Sequence, residues 1–400
     1  MEARRGRPLV FALTWVSYAS YYLCRKNFAV AKATLERVLH LSPWWQAAID
    51  TAYLVAYAAG QFGSGVLGDR IGARRLVGFG MLASAAACAL FGASSAAVLF
   101  LVIFAFNGLA QSTGWPGNTK AMAAWFAPEE RGTVMGFWST CYQAGGLAAN
   151  PIAAFLLVAI GWRAAFFGPA GWVACVGVVV LLFLPARPGA TPEERLSVPL
   201  DPALVRAERS RIYRSPQAWS YAMSYFCVKA IRYTILLWLP YYLEHELGYG
   251  TRAGYHSVSF EVGGLGGAIC FGLLSDRVRL PRSAIAALGL LALAASLLLY
   301  TRIASVGGMA NFAGMSLVGF MLFGPDSLLA GAAAQDLGGK HAAATAVGFV
   351  NGVGSIGAIL QSFLTVAVSQ AYGWNAVFLV LLGFAVVAAL CLAPSIRRRE

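Results

Sequence analysis

Two arginines, Arg25 and Arg232, stand inside stretches that otherwise read as oily helices, and they lie 207 positions apart. A guanidinium stays charged at any working pH and offers paired hydrogen bonds to the oxygens of a phosphate or carboxylate. A cation at the centre of a membrane helix costs about 2.5–3.5 kcal/mol on insertion scales, so such residues usually face a polar interior with a partner. Two of them at matching positions point to an anion site; the alternative is that each is neutralised by an acid of the chain, such as Glu261. The same offset carries Gly65-Val66-Leu67-Gly68-Asp69-Arg70 onto Gly272-Leu273-Leu274-Ser275-Asp276-Arg277. A third echo sets Gly161-Trp162-Arg163 against Gly373-Trp374-Asn375 at an offset of 212. The chain is therefore an internal duplication, and the two arginines are symmetric partners within it.

Their surroundings extend the chemistry. Five cations fall inside apolar stretches, Arg25, Lys26, Lys120, Lys229 and Arg232, against the acids Asp50, Glu261 and Asp326, so the interior is on balance cationic. Tyr18 and Tyr22 share the helical face of Arg25 and supply hydroxyl donors and an aromatic wall. Lys26 is turned about 100° from that face, which suits it to a structural ion pair, with Glu261 the first choice of partner. Lys229 precedes Arg232 by one turn on the same face. Tyr53, Tyr57 and Gln61 form a further polar stripe at spacings of four, with Tyr57 a better candidate than Tyr53. Asp69-Arg70 and Asp276-Arg277 sit where the second and eighth helices reach the cytoplasm. An Asp at a helix C-terminus is disfavoured by the dipole unless a basic partner from a neighbouring helix holds it, so both pairs suit gating contacts; the alternative is a static solvated loop. The four histidines and seven cysteines are scattered without metal-ligand or CxxC spacing, so neither a disulfide nor a metal framework follows. No cofactor, metal or catalytic nucleophile is expected, and the chain does not read as an enzyme.

The elements that position these residues follow from composition. With 59% hydrophobic and 12% charged residues and a mean hydropathy of +0.66, the chain falls far below the roughly one-quarter charged content of soluble domains. Apolar runs of about 18–25 residues fit membrane helices. Twelve are predicted, near 9–30, 44–67, 76–94, 97–125, 133–160, 163–185, 217–243, 252–274, 283–301, 306–333, 342–370 and 373–394. The expected fold is thus an all-α membrane protein of twelve transmembrane helices in two six-helix pseudo-symmetric bundles, 1–185 and 217–400. A proline-bearing cytoplasmic linker, 186–216, joins them. Of the 30 Lys and Arg, 20 fall at the termini and in the loops that follow even-numbered helices. By the positive-inside rule those segments and both termini are cytoplasmic, and the net charge of +13 needs no nucleic acid to explain it. Lys32, Arg37, Arg163, Arg252 and Arg302 are placed on the opposite side. Arg25 and Arg232 lie at similar depth, roughly 16 and 15 residues into their helices. Parallel repeats bind substrate between their halves near the midplane, so the two guanidiniums are expected to face one another across a central cavity.

The duplicated G-x-L-x-D-R and the twelve-helix plan resemble the major facilitator superfamily over the whole chain. Within it, Tyr21-Tyr22-Leu23-Cys24-Arg25-Lys26-Asn27-Phe28, Gly114-Trp115-Pro116 with Lys120, and Arg232-Tyr233 with Trp238 are similar to the organophosphate:phosphate antiporters. That family holds the bacterial glycerol-3-phosphate and hexose-phosphate transporters and the eukaryotic glucose-6-phosphate translocase. The resemblance implies secondary active transport, in which Arg25 and Arg232 clamp the phosphoryl group while a sugar phosphate or glycerol phosphate is exchanged for inorganic phosphate by alternating access. It also implies that Tyr18, Tyr22, Tyr57, Trp115 and Trp138 line or flank the site, and that Glu261 pairs with Lys26. Two positions depart from the glycerol-phosphate pattern: Gln61 stands where a lysine would, and Tyr142 where a histidine would, while Lys229 resembles a lysine of the eukaryotic sugar-phosphate members. The phosphate clamp carries over; the identity of the organophosphate does not. Other readings are a proton-coupled transporter of another organic or inorganic anion, through Glu261 or Asp326, and a membrane sensor of sugar phosphates. The expected partners are phosphate, an organophosphate and the lipid bilayer, with no nucleic acid, and the expected state is a monomer. The setting is a multi-pass protein of the cell membrane, and the richness in Ala, Gly and Arg favours a bacterial one.

Overall fold

The computed structural model describes residues 2–126, 134, 137–138, 140–185, 210–278 and 280–397. The side chains of Asp69, Arg70 and Asp276, and residues 186–209 of the expected linker, lie outside the described residues. Among those described, every regular element is helical. The chain divides into two compact units, residues 1–195 with 243–258, and residues 196–242 with 259–400.

In the first unit, α1 (Glu2–Tyr21) and α2 (Leu23–Leu39) are successive helices interrupted at Tyr22. Next come α3 (Pro43–Ile71), α4 (Ala73–Ala93), α5 (Ala97–Gln111), α6 (Gly114–Trp125), α7 (Thr140–Ala159) and α8 (Ala164–Phe183). Local sequence sets the boundaries. Ser42 caps α3 by accepting from the Trp45 amide, with Pro43 just inside the helix start, where a missing N–H is harmless. Gly72 ends α3 at φ +83°, a conformation open to glycine because it lacks a Cβ. Arg163 donates to the carbonyls of Gly92 and Ser94 at the end of α4. The interior is aromatic, with Phe91 stacked between Phe100 and Phe166 at ring distances of 4.3 and 4.6 Å. Phe79, Val102, Phe155 and Leu182 stand exposed, as lipid-facing side chains do.

One sequence-based placement is corrected here. Lys32 does not lie outside the helices: α2 continues past it, the residue is 0% exposed, and its ammonium pairs with Asp50 of α3 at 2.5 Å. Gln46 donates to the carbonyls of Lys32 and Leu41 and closes the α2–α3 hairpin. The first crossing therefore extends further than the apolar run suggests, because a buried charge pair substitutes for apolar side chains in its last turns.

The second unit contains most of α9 (Pro216–His245), then α10 (Val258–Arg277), α11 (Arg282–Ile303), α12 (Gly308–Ser327) and α13 (Ala333–Arg397). A π-helical segment, Leu328–Ala332, joins the last two. Helix α13 runs 65 residues, roughly 98 Å at 1.5 Å per residue, too long for one crossing of a ~30 Å hydrocarbon core. Gly373 adopts φ +78° within it, a left-handed backbone that interrupts the α-helical path between 333–372 and 374–397. Gly161 takes φ +125° at the equivalent turn before α8, so the third sequence echo marks a shared helix–helix turn. Glycines also let α10 and α12 approach backbone to backbone: a Cβ on Gly263 or Gly267 would meet the carbonyl oxygens of Ser316 and Phe320.

Nine helices among the described residues are long and apolar enough to cross a membrane. With α1–α2 and α3 added, and α13 counted as two, the segments fit the twelve-span plan.

Candidate functional site

Arg25 sits just past the break between α1 and α2. Its own amide bonds the Tyr22 carbonyl, three residues back, rather than that of Tyr21, as a regular α-helix would require. This tight turn frees the Tyr21 carbonyl, and the side-chain amide of Gln111 on α5 donates to it at 3.2 Å. One turn on, Asn107 donates to the Cys24 carbonyl at 2.8 Å. A helix can be broken inside a membrane only when its freed backbone groups find partners, and α5 supplies them.

The same Gln111 fixes the arginine. Its Oε1 accepts from Arg25 Nε at 3.0 Å and from the Tyr53 hydroxyl at 2.9 Å. The guanidinium lies over the rings of Tyr22, Tyr57 and Tyr53 at 4.8, 5.1 and 5.9 Å. Arg25 is 8% exposed. Among the described residues no carboxylate pairs with it, and its two terminal nitrogens make no hydrogen bond. Each cation–π contact contributes on the order of 0.5–2 kcal/mol, whereas removing an ion from water costs several kcal/mol. The aromatic cradle orients the charge without neutralising it.

Beside this cradle, Tyr18 gathers the other aromatic candidates. Its ring lies 5.3 Å from that of Tyr142, 5.5 Å from Trp138, 5.8 Å from Trp115 and 6.2 Å from Tyr22. Trp138 is fully buried and donates to Thr14 at 3.0 Å, so it backs the cluster, while Trp115 is exposed. Gln61 lies one turn beyond Tyr57 on α3 and is half-buried.

In the second unit, Arg232 stands near the middle of α9 and donates through Nη1 to Asp326 of α12 at 2.9 Å. Its guanidinium also covers the Phe323 ring at 4.7 Å. Phe323 and Asp326, three residues apart, present one face of α12. Lys229, one turn before Arg232, donates to Asn351 Oδ1 at 2.6 Å and to Ser355 Oγ at 3.1 Å on α13. Gly354 permits that approach, since a Cβ there would meet Lys229 Cδ and Tyr225. The two arginines thus differ: the alternative of an internal acid applies to Arg232, with Asp326 in the place suggested for Glu261, while Arg25 lacks one among the described residues.

Lys26 and Glu261 are both buried. Lys120 donates to the Gly68 carbonyl at 2.9 Å, at the C-terminal end of α3, where a cation complements the helix dipole. Arg277 is exposed at the end of α10. Sequence reasoning missed Gln111, Asn107, Asn351 and Ser355. Amides within apolar runs were the available signal for Gln111 and Asn107.

Residues 14–362 match the Major Facilitator Superfamily profile. The chain belongs to that superfamily. Its relatives include "Putative glycerol-3-phosphate transporter 2" of Arabidopsis thaliana, 32% identical over 99% of this chain and 88% of the relative. "Sugar phosphate exchanger 3" of Homo sapiens is 29% identical over 92% of this chain and 88% of the relative. These relatives agree with membership of the organophosphate:phosphate antiporter branch. Among solved structures, a bacterial homolog of the human lysosomal transporter Spinster, inward-facing and occupied, matches 98% of this chain and 97% of that one. Its TM-score is 0.81 at 13% identity, a likeness of fold. The protein is a multi-pass membrane protein of a transporter family.

Proposed function

We propose that the protein exchanges a phosphorylated metabolite, of the sugar phosphate or glycerol phosphate class, for inorganic phosphate by alternating access. The observation that carries this reading is Arg25, buried in an aromatic and amide cradle with no carboxylate partner among the described residues. A phosphoryl group brings both the missing negative charge and oxygens for the two terminal nitrogens. The names of the relatives support the same substrate class.

In this reading Arg25 and Arg232 each bind phosphoryl oxygens, and Lys229 adds charge on the side of Arg232. Tyr18, Tyr22, Tyr57, Trp115 and Tyr142 form the wall against the rest of the substrate, with Trp138 behind them and Gln61 at the margin. Lys26 and Glu261 serve as a structural ion pair, and the two Asp-Arg pairs, Asp69-Arg70 and Asp276-Arg277, act in gating. The protein performs no covalent chemistry on its substrate. Its basic loops and both termini face the cytoplasm by the positive-inside rule, in a cell membrane.

The test is counterflow into proteoliposomes loaded with phosphate, following labelled phosphate against a panel of phosphorylated metabolites with no proton gradient. Uptake blocked by one class of organophosphate is the expected result and names the substrate. Saturable binding without flux, or flux that needs an imposed proton gradient, contradicts exchange.

A further inference from the structure

The two arginine sites are not electrostatically alike, and the difference lies in one carboxylate. Arg25 is held by an amide and three aromatic rings. Arg232 is held by Asp326, whose Oδ2 takes its Nη1 at 2.9 Å. Asp326 itself is buried, so it is no solvated surface acid that happens to lie near a cation. It also stands at a weak point of its helix. Pro325 precedes it inside α12, and the π-helical segment Leu328–Ala332 begins two residues later. Proline removes an amide donor, and π-helical segments collect at functional sites, so the backbone that carries the carboxylate is not a continuous α-helical rod. Lys229, one turn from Arg232, keeps its ammonium on the neutral oxygens of Asn351 and Ser355, and Asp326 is a carboxylate that pairs with the guanidinium.

We infer that Asp326 is an internal competing ligand: it occupies Arg232 while the substrate is absent, and an arriving phosphoryl group must take its place. This inference rests on the proposed function and deepens it by assigning a role to a residue of the second unit. A phosphoryl anion and the carboxylate repel one another and seek the same donors. Binding at Arg232 therefore exchanges one anion for another, which weakens phosphate binding and speeds its release. Arg25, with no such competitor among the described residues, keeps the requirement for an anion. Asp326 acts through Arg232 as a positioning residue and need not touch the substrate.

The experiment is a calorimetric titration of the purified full chain in detergent with inorganic phosphate, paired with the rate of phosphate exchange in proteoliposomes. Asp326→Asn is expected to lower the dissociation constant for phosphate about tenfold and to slow exchange, a gain in affinity with a loss in turnover that a merely structural lesion does not produce. In an Arg232→Gln background the same substitution is expected to change the affinity less than twofold, because the donor for which the carboxylate competes is gone. Asp326→Glu keeps the competitor and is expected to stay near the wild type, which guards against a folding defect specific to Asn. Affinity unchanged or weakened in Asp326→Asn while Arg25→Gln abolishes binding overturns the role of Asp326 alone. Tightening that persists without Arg232 also overturns it. Absence of phosphate binding to the wild type overturns the phosphate reading, and this inference with it.

Discussion

At the residue scale, the chemistry rests on guanidinium geometry rather than on charge alone. Arg25→Lys keeps the charge but loses the fork and the Nε bond to Gln111. An ammonium cannot reproduce paired hydrogen bonds to phosphate, and each charge-assisted bond contributes ~1.5–3 kcal/mol. Phosphate affinity in Arg25→Lys should fall by at least about tenfold, and Arg232→Lys should lose comparably; titration of either variant with phosphate checks this. Normal affinity in both would remove the clamp. Arg25 and Tyr22 were legible in the sequence because they stand three residues apart, while Tyr53 and Tyr57, the other two rings under the guanidinium, come from α3. Gln111 and Asp326 were not legible as partners of the two arginines. Each reaches its arginine from a different helix, and no periodicity within one helix reports which face of another lies opposite.

At the element scale, two kinds of contact hold the frame. The Lys32–Asp50 pair is buried from end to end, and removing one member of such a pair costs about 3–5 kcal/mol, whereas replacing both with apolar residues is often neutral. Lys32→Met should therefore lower the thermal unfolding temperature in detergent, and Lys32→Met/Asp50→Leu should recover most of the loss. A double variant as unstable as the single one would mean that the pair has a further duty. Between α10 and α12 the contact is backbone against backbone. A Cβ on Gly263 would collide with the Ser316 carbonyl oxygen, so Gly263→Ala must push the helices apart, at about 1–3 kcal/mol for overpacking. Its unfolding temperature should fall measurably, while Gly272→Ala, where a Cβ meets nothing within 4 Å, should not. The helices themselves were readable from apolar length. The break at Tyr22 was not, since it depends on the Gln111 amide of α5 satisfying the Tyr21 carbonyl that it frees, and nothing in the local sequence of α1 announces it. Lys32 was misplaced for a related reason, because an isolated lysine reads as a helix end until its buried acid is seen.

At the scale of the whole molecule, duplication was the most legible property. Three echoes at nearly constant offset, the third opening in both copies on a glycine at positive φ, tie sequence repeat to structural repeat. The two copies have nevertheless diverged at their arginines, one left without an acid among the described residues and one paired with Asp326. An uncompensated buried cation makes the anion-free form costly, so a carrier built this way should move phosphate only against another anion. The measurement is labelled phosphate uptake into proteoliposomes loaded with unlabelled phosphate, compared with uptake into vesicles that contain none. The account predicts rapid uptake into loaded vesicles and background uptake into empty ones. Equal uptake into both would contradict it.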